Sequence, residues 1–209
     1  TPLLMALERV LGPNDYLDFM KSFRYILAGE FSFQRSLIPE LRIPSDWGLE
    51  VGILYEMQRN QASSRICQVD IADKYDHKHQ ELSESDRRAG LSRMSVDITK
   101  VLIRKLATQG NSFGAETFRT IKATYYRMAL DMVRFYQTDA EMNGLSYDID
   151  FEERAVELFC ENIMIAGDAF SSSPMETPFI PSWTRVLSAI PDLAFRLRKA
   201  VEEDNQEQR

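Results

Sequence analysis

Histidine and cysteine are nearly absent from this chain, with two of each in 209 residues. Cys67 and Cys160 lie far apart in apolar contexts (Arg-Ile-Cys-Gln-Val and Leu-Phe-Cys-Glu-Asn). Secreted disulfide scaffolds are much denser in cysteine, so a reducing cytoplasm is the expected compartment. Both thiols are expected to be small buried hydrophobes. A tetrahedral zinc site is excluded as well, because His-x-His without cysteine partners supplies too few ligands. No apolar run approaches the roughly 20 residues of a membrane-spanning helix. Positive charge is also short: 25 Lys and Arg against 32 Asp and Glu leave a net charge of −7. General nucleic-acid binders carry a basic face, so that class is disfavoured. There is no internal repeat. Neither an initiator Met nor a signal-peptide layout precedes Thr1-Pro2, which suggests a trimmed protein or a piece of a longer one.

What is present suits a globular protein. The chain is 44% hydrophobic, enough for a sizeable core at this length. Thr1-Pro2 followed by Leu3, Leu4, Leu7 and Leu11 predicts a helix with Thr1 as N-cap and Pro at N1. Gly12-Pro13 stops it, and Asn14-Asp15 starts a second helix through about residue 19. Phe31, Phe33 and Arg35 alternate with polar Ser32 and Gln34, a period of two that predicts a strand. From Asp46 onward, Leu49, Ile53, Leu54 and Met57 lie at helical spacing. Ile66-Cys67-Gln68-Val69-Asp70-Ile71-Ala72 alternates again and predicts a second strand. Beyond Ser83 the pattern is helical, over about 84–109, 115–142, 150–170 and 192–203. A Pro-rich connector occupies 171–181, and the acidic tail is expected to fray. Two isolated strands are marginal, so they read as the edge of a sheet whose other strands lie outside this chain.

Three clusters carry candidate chemistry, each beside a plainer reading. Both histidines fall in Asp76-His77-Lys78-His79, directly after the second predicted strand, where α/β enzymes place ligands. An imidazole there could complete a metal site built mostly elsewhere, or the loop is a solvated charged turn. Asp46-Trp47-Gly48-Leu49-Glu50 enters a helix, and capping alone explains Asp46. Glu50 borders the buried stripe and Trp47-Gly48 offers an aromatic surface, although a helix-face Glu is common. Ala28-Gly29-Glu30-Phe31 is the third, with a simple glycine turn as its alternative. The Met and aromatic stripe of the second long helix (Tyr125, Tyr126, Met128, Met132, Phe135, Tyr136) reads as core or dimer interface.

In order and spacing these pieces resemble the back half of a GT-A-type glycosyltransferase, most closely the glucosyl-3-phosphoglycerate synthase family, with mannosylglycerate synthases as relatives. Members carry a Pro-Leu-(Gly/Ala)-Gly-Glu-(Tyr/Phe) segment, similar to Ile26-Leu27-Ala28-Gly29-Glu30-Phe31 here. A Tyr-Gly-Val-Glu-Ile-Gly segment follows, similar to Trp47-Gly48-Leu49-Glu50-Val51-Gly52. A Gln-Val-Asn-Leu strand and a His-Arg-Asn-like loop are similar to Gln68-Val69-Asp70-Ile71 and His77-Lys78-His79. The resemblance is good over about 1–110.

The resemblance implies an α/β GT-A fold, represented here by its C-terminal, mostly helical portion with a few strands. It divides the chain into 1–82, the acceptor side and metal-closing loop of a catalytic domain, and 83–209, a helical extension. It implies a nucleotide-sugar donor, UDP- or GDP-glucose, and a phosphorylated three-carbon acceptor, 3-phosphoglycerate, joined with retention of anomeric configuration. A divalent metal, Mg²⁺ or Mn²⁺, would sit on the diphosphate with His77 completing its shell. Glu50 matches the acidic catalytic residue. Ala28, Gly29, Glu30, Trp47, Gly48, Lys78 and His79 match donor- and acceptor-binding positions. His79 stands where some members have Asn, and Lys78 replaces Arg, keeping charge but losing a bidentate fork. No Asp-x-Asp strand is present; Asp148-Ile149-Asp150 sits at a helix entry. The expected protein is a cytoplasmic enzyme without membrane or nucleic-acid partners, forming a homodimer. By itself this portion is expected to be inactive. The alternatives are a mannosyl-transferring relative using (phospho)glycerate, and a non-catalytic helical dimerisation module.

Overall fold

The computed structural model describes residues 1–72, 80–83, 86–174 and 180–207. Among the described residues, eight α-helices run in chain order: α1 (Pro2–Leu11), α2 (Asp15–Lys21), α3 (Leu49–Asn60), α4 (Gly90–Thr108), α5 (Ala115–Met142), α6 (Ile149–Ser172), α7 (Trp183–Ala189) and α8 (Leu193–Glu207). Asn14 caps α2, its side-chain oxygen accepting from the N–H groups of Tyr16 and Leu17 at 3.0 and 3.1 Å. Asp148 caps α6 by accepting from the Phe151 N–H at 2.9 Å. Each satisfies donors that a helix start leaves unpaired.

Amphipathic stripes then decide the packing. Helix α5 lies between α1 and α6, α6 also packs on α4, and α3 docks on α4. The main core joins Leu4 and Leu7 of α1 and Leu17 and Met20 of α2 to Val51, Leu102, Leu106, Ile121 and Ile163. A fully buried Leu or Ile contributes about 1.5–3 kcal/mol over an exposed one, so residues as far apart as Leu4 and Ile163 stabilise one interior. A polar link crosses α4 and α6. Asn162, fully buried, donates to the Ser92 carbonyl at 3.2 Å and to Ser95 Oγ at 2.7 Å.

Several expectations require correction. Among the described residues there is no strand. Residues 31–34 and 66–72 form no strand or bridge, although Gln34 and Ile66 are extended, and a 3₁₀ turn, Arg35–Glu40, occupies the end of the first predicted strand. Alternation of polar and apolar residues favours extended backbone, but a ladder needs backbone hydrogen bonds to a neighbouring strand, and among the described residues these segments make none. The apolar members accordingly stay exposed: Phe31, Val69 and Ile71. Helix α4 begins at Gly90 and not near 84, because Gly90 takes a left-handed φ of 52° that ends the preceding turn. The Leu91 N–H there donates to the Glu81 carbonyl at 2.8 Å. Cys160 is buried as expected, whereas Cys67 is exposed, because its segment has no partner to bury against. The α5 stripe divides: Tyr125 is core, while Tyr126, Phe135 and Tyr136 face solvent. No described helix is long and apolar enough to cross a membrane.

Candidate functional site

Helix α3 sets the floor of the site. Glu50, Ile53, Leu54 and Met57 recur at three- and four-residue intervals, so they share one face, and Gln61 lies just beyond the helix end. That face forms the bottom of a cleft of about 870 Å³, within the roughly 300–1,000 Å³ of small-molecule sites. Residues 23–34 form one wall and residues 65–71 the other.

The floor is anchored from behind. Tyr55 meets Tyr16 edge-on, with ring centroids 5.2 Å apart, and its hydroxyl lies 3.0 Å from Thr108 Oγ1. Glu56 pairs with Lys105 of α4 at 3.3 Å, both side chains about 5% exposed or less (5% and 4%). The Lys105 ammonium also sits 4.0 Å from the centre of the Tyr55 ring. Burial lowers the Lys105 pKa to about 8, with Glu56 pulling it back up and Arg59 and Arg42 pushing it down. At the entry to α3, Asp46 accepts from the Gly48 N–H at 2.9 Å. Burial raises the Asp46 carboxyl above its ordinary value, Asp97 adding to the effect while Gly48, Lys100 and Arg104 oppose it. A Cβ on Gly48 would stand 2.3 Å from Val101 Cγ2, so the missing side chain is what lets α3 start against α4.

The cleft brings together much of what the sequence singles out. Ala28, Gly29 and Glu30 lie in the first wall, Glu50 in the floor, and Gln68 through Ile71 in the second wall. Gly29 is exposed, and a Cβ there would meet nothing within 4 Å, leaving the approach open. Trp47 is exposed and Gly48 is buried under α4; neither lines the cleft. His77, Lys78 and His79 lie outside the described residues. Among the described residues no three His, Cys, Asp or Glu side chains gather to hold a metal ion. The cleft carboxylates Glu30, Glu50 and Asp70 are hard oxygen donors of the kind Mg²⁺ and Mn²⁺ take, but they do not build that site by themselves.

Comparison with known proteins decides the relationship. Over 205 residues the chain is 43% identical to a glucosyl-3-phosphoglycerate synthase of Persephonella marina, covering 98% of this chain and 51% of that protein. A protein of the same name from Methanococcoides burtonii is 41% identical over 200 residues, 95% of this chain and 48% of that one. By sequence, the chain is similar to glucosyl-3-phosphoglycerate synthases along nearly its whole length. It spans about half the length of the curated relatives it matches. No protein-family model matches the chain, and no solved structure does.

In this relative of the glucosyl-3-phosphoglycerate synthases, sequence reasoning overlooked Arg24, Gln34, Gln61 and Arg65 in the cleft. Arg24 pairs with Asp70 at 3.0 Å, and its backbone N–H donates to Gln68 Oε1 at 2.8 Å. Arg65 donates to Gln34 Oε1 at 2.8 Å. Gln61 closes the floor. A usable signal did exist: the basic residues flank the two alternating segments, one before the first and one before the second.

Proposed function

We propose that the chain is the acceptor-side part of a GT-A glycosyltransferase. The intact enzyme would move glucose from UDP- or GDP-glucose to 3-phosphoglycerate, retaining the anomeric configuration. The observation carrying this reading is the 43% identity over 98% of the chain, reinforced by a cleft into which the Ala28-Gly29-Glu30, Glu50 and Gln68–Ile71 segments converge.

The chemistry follows from the placement of these groups. Glu50 stands in the first turn of α3, where the helix dipole favours a negative charge. Half-buried at the cleft floor, its carboxylate accepts a hydrogen bond from the attacking acceptor hydroxyl and orients it toward the donor sugar. Ala28, Gly29 and Glu30 receive the sugar, with Glu30 accepting from its hydroxyls. Trp47 and Gly48 belong to the same proposal as the entry to the Glu50 helix. A divalent cation, when bound, offsets the charge of the departing nucleoside diphosphate; His77 is the residue of this chain proposed to contact it. Lys78 and His79 are proposed to meet the acceptor phosphate and carboxylate. The enzyme is further proposed to be a cytoplasmic homodimer.

The test is a panel of nucleotide-sugars offered to a full-length enzyme containing this chain, with 3-phosphoglycerate and glycerate as acceptors. Glucosyl transfer to 3-phosphoglycerate is expected. Exclusive mannosyl transfer, or transfer to glycerate alone, would overturn the substrate assignment, and no transfer with any pair would favour a helical interaction module.

A further inference from the structure

The two walls of the cleft run in opposite senses, residue 24 lying opposite 68–70 and residue 34 opposite 65. Among the described residues no backbone–backbone hydrogen bond joins them. Nor does burial hold the second wall: Val69 is 68% exposed and Ile71 63%. What spans the cleft is a set of side-chain bonds. The Arg24 guanidinium reaches Asp70 at 3.0 Å while its own N–H is held by Gln68 at 2.8 Å. Near the other end Arg65 reaches back to Gln34 at 2.8 Å. Each wall therefore contributes one arginine and receives one.

Such bonds contribute little to folding when exposed. They matter here because neither a ladder nor buried surface competes with them.

We propose that Arg24 is a positioning residue. Through Asp70 and Gln68 it holds the second wall across the cleft from Glu30 and Glu50, with Arg65 and Gln34 as the matching bridge at the other end. The catalytic half of this statement rests on the glycosyltransferase reading; the clasp itself does not. Arg24 needs no contact with substrate for this role.

Distance measurement tests the clasp directly. Spin labels at native Cys67 and at Ser32→Cys report the wall separation in the full-length enzyme with any cysteines beyond this chain replaced, since Cys160 is buried and its thiol pKa is pushed up to about 11. A narrow distance distribution is expected in the parent. It should broaden at least twofold in Arg24→Ala and in Asp70→Asn, no further when the two are combined, and narrow again in the charge-reversed pair Arg24→Asp/Asp70→Arg. Arg65→Ala should broaden it independently. An unchanged distribution in Arg24→Ala would overturn the proposal. In the full-length enzyme Arg24→Ala should raise the acceptor KM about two- to fivefold, the range of an exposed ion pair, with the reversed pair restoring it. Broadened distances with unaltered kinetics would remove the positioning role. If the parent enzyme transfers no sugar at all, the glycosyltransferase reading fails while the spin-label distances still decide the clasp.

Discussion

Lys105 gives this protein an unusual dependence of stability on pH. Its ammonium is 4% exposed, paired with Glu56 and placed over the Tyr55 ring. Burial holds its pKa at about 8, against 10.5 for a free lysine. Between those values the unfolded chain binds the proton and the folded chain does not. Stability therefore rises with pH across the window from about 8 to 10.5. The full span of 2.5 units corresponds to about 3 kcal/mol, of which about 2 kcal/mol is gained between pH 7 and 9.5. Burial raises Cys160 to about 11 and also raises Tyr16 and Tyr125. These groups act with the opposite sign: the unfolded chain releases their protons first, so their contribution falls above about pH 9. A matched variant is needed to isolate Lys105. Glu56→Met/Lys105→Met removes the charge pair and roughly keeps the volume with apolar side chains. Urea unfolding at pH 7, 8.5 and 9.5 should show the parent gaining about 2 kcal/mol relative to this variant. At pH 7 the variant should equal or exceed the parent, as buried ion pairs replaced by apolar groups often do. Parallel stability curves for the two proteins would refute the reasoning.

Gly48→Ala forces a Cβ to within 2.3 Å of Val101 Cγ2. It should cost about 1–3 kcal/mol by thermal or urea unfolding, with Val101→Ala recovering part of the loss. Asn162→Ala strips the buried link between α4 and α6. A loss of about 1–3 kcal/mol is expected in the same assay, and no loss would mean that Ser92 and Ser95 satisfy each other unaided. In the full-length enzyme, Glu50→Gln should lower kcat far more than it raises the donor KM; a change confined to KM would make Glu50 a binding group. His77→Ala should abolish metal-stimulated turnover, and near-parental rates would remove His77 from the reaction.

Helices were legible in the sequence because their signals are local. The α5 pattern, with Phe118, Ile121 and Tyr125 at helical spacing and Asn143-Gly144 beyond, marks the element within a residue or two of its observed bounds. The alternating segments show the opposite case. Phe31 and Phe33, or Val69 and Ile71, favour an extended backbone, yet pairing depends on cross-strand backbone hydrogen bonds that these segments do not make among the described residues. The site divides the same way. Glu50 could be placed from the α3 stripe, since the face it shares with Ile53, Leu54 and Met57 follows from 3.6-residue periodicity. Gly48 resembled part of an open approach, but its role against Val101 depends on how α3 crosses α4, which no local pattern records. Arg24 was overlooked because its partners are 44 and 46 residues away.

The cleft combines a clamped floor with unburied walls, and that division separates what the fold requires from what substrate choice requires. Residues behind α3, such as Tyr55, Glu56 and Lys105, are constrained by packing and buried charge. Residues on the walls, such as Phe31, Gln34 and Val69, contribute almost nothing to the interior. Wall substitutions can therefore accumulate at little thermodynamic cost. A cleft built this way can be re-specified toward a different small ligand by exchanging wall residues, with the folding margin left intact.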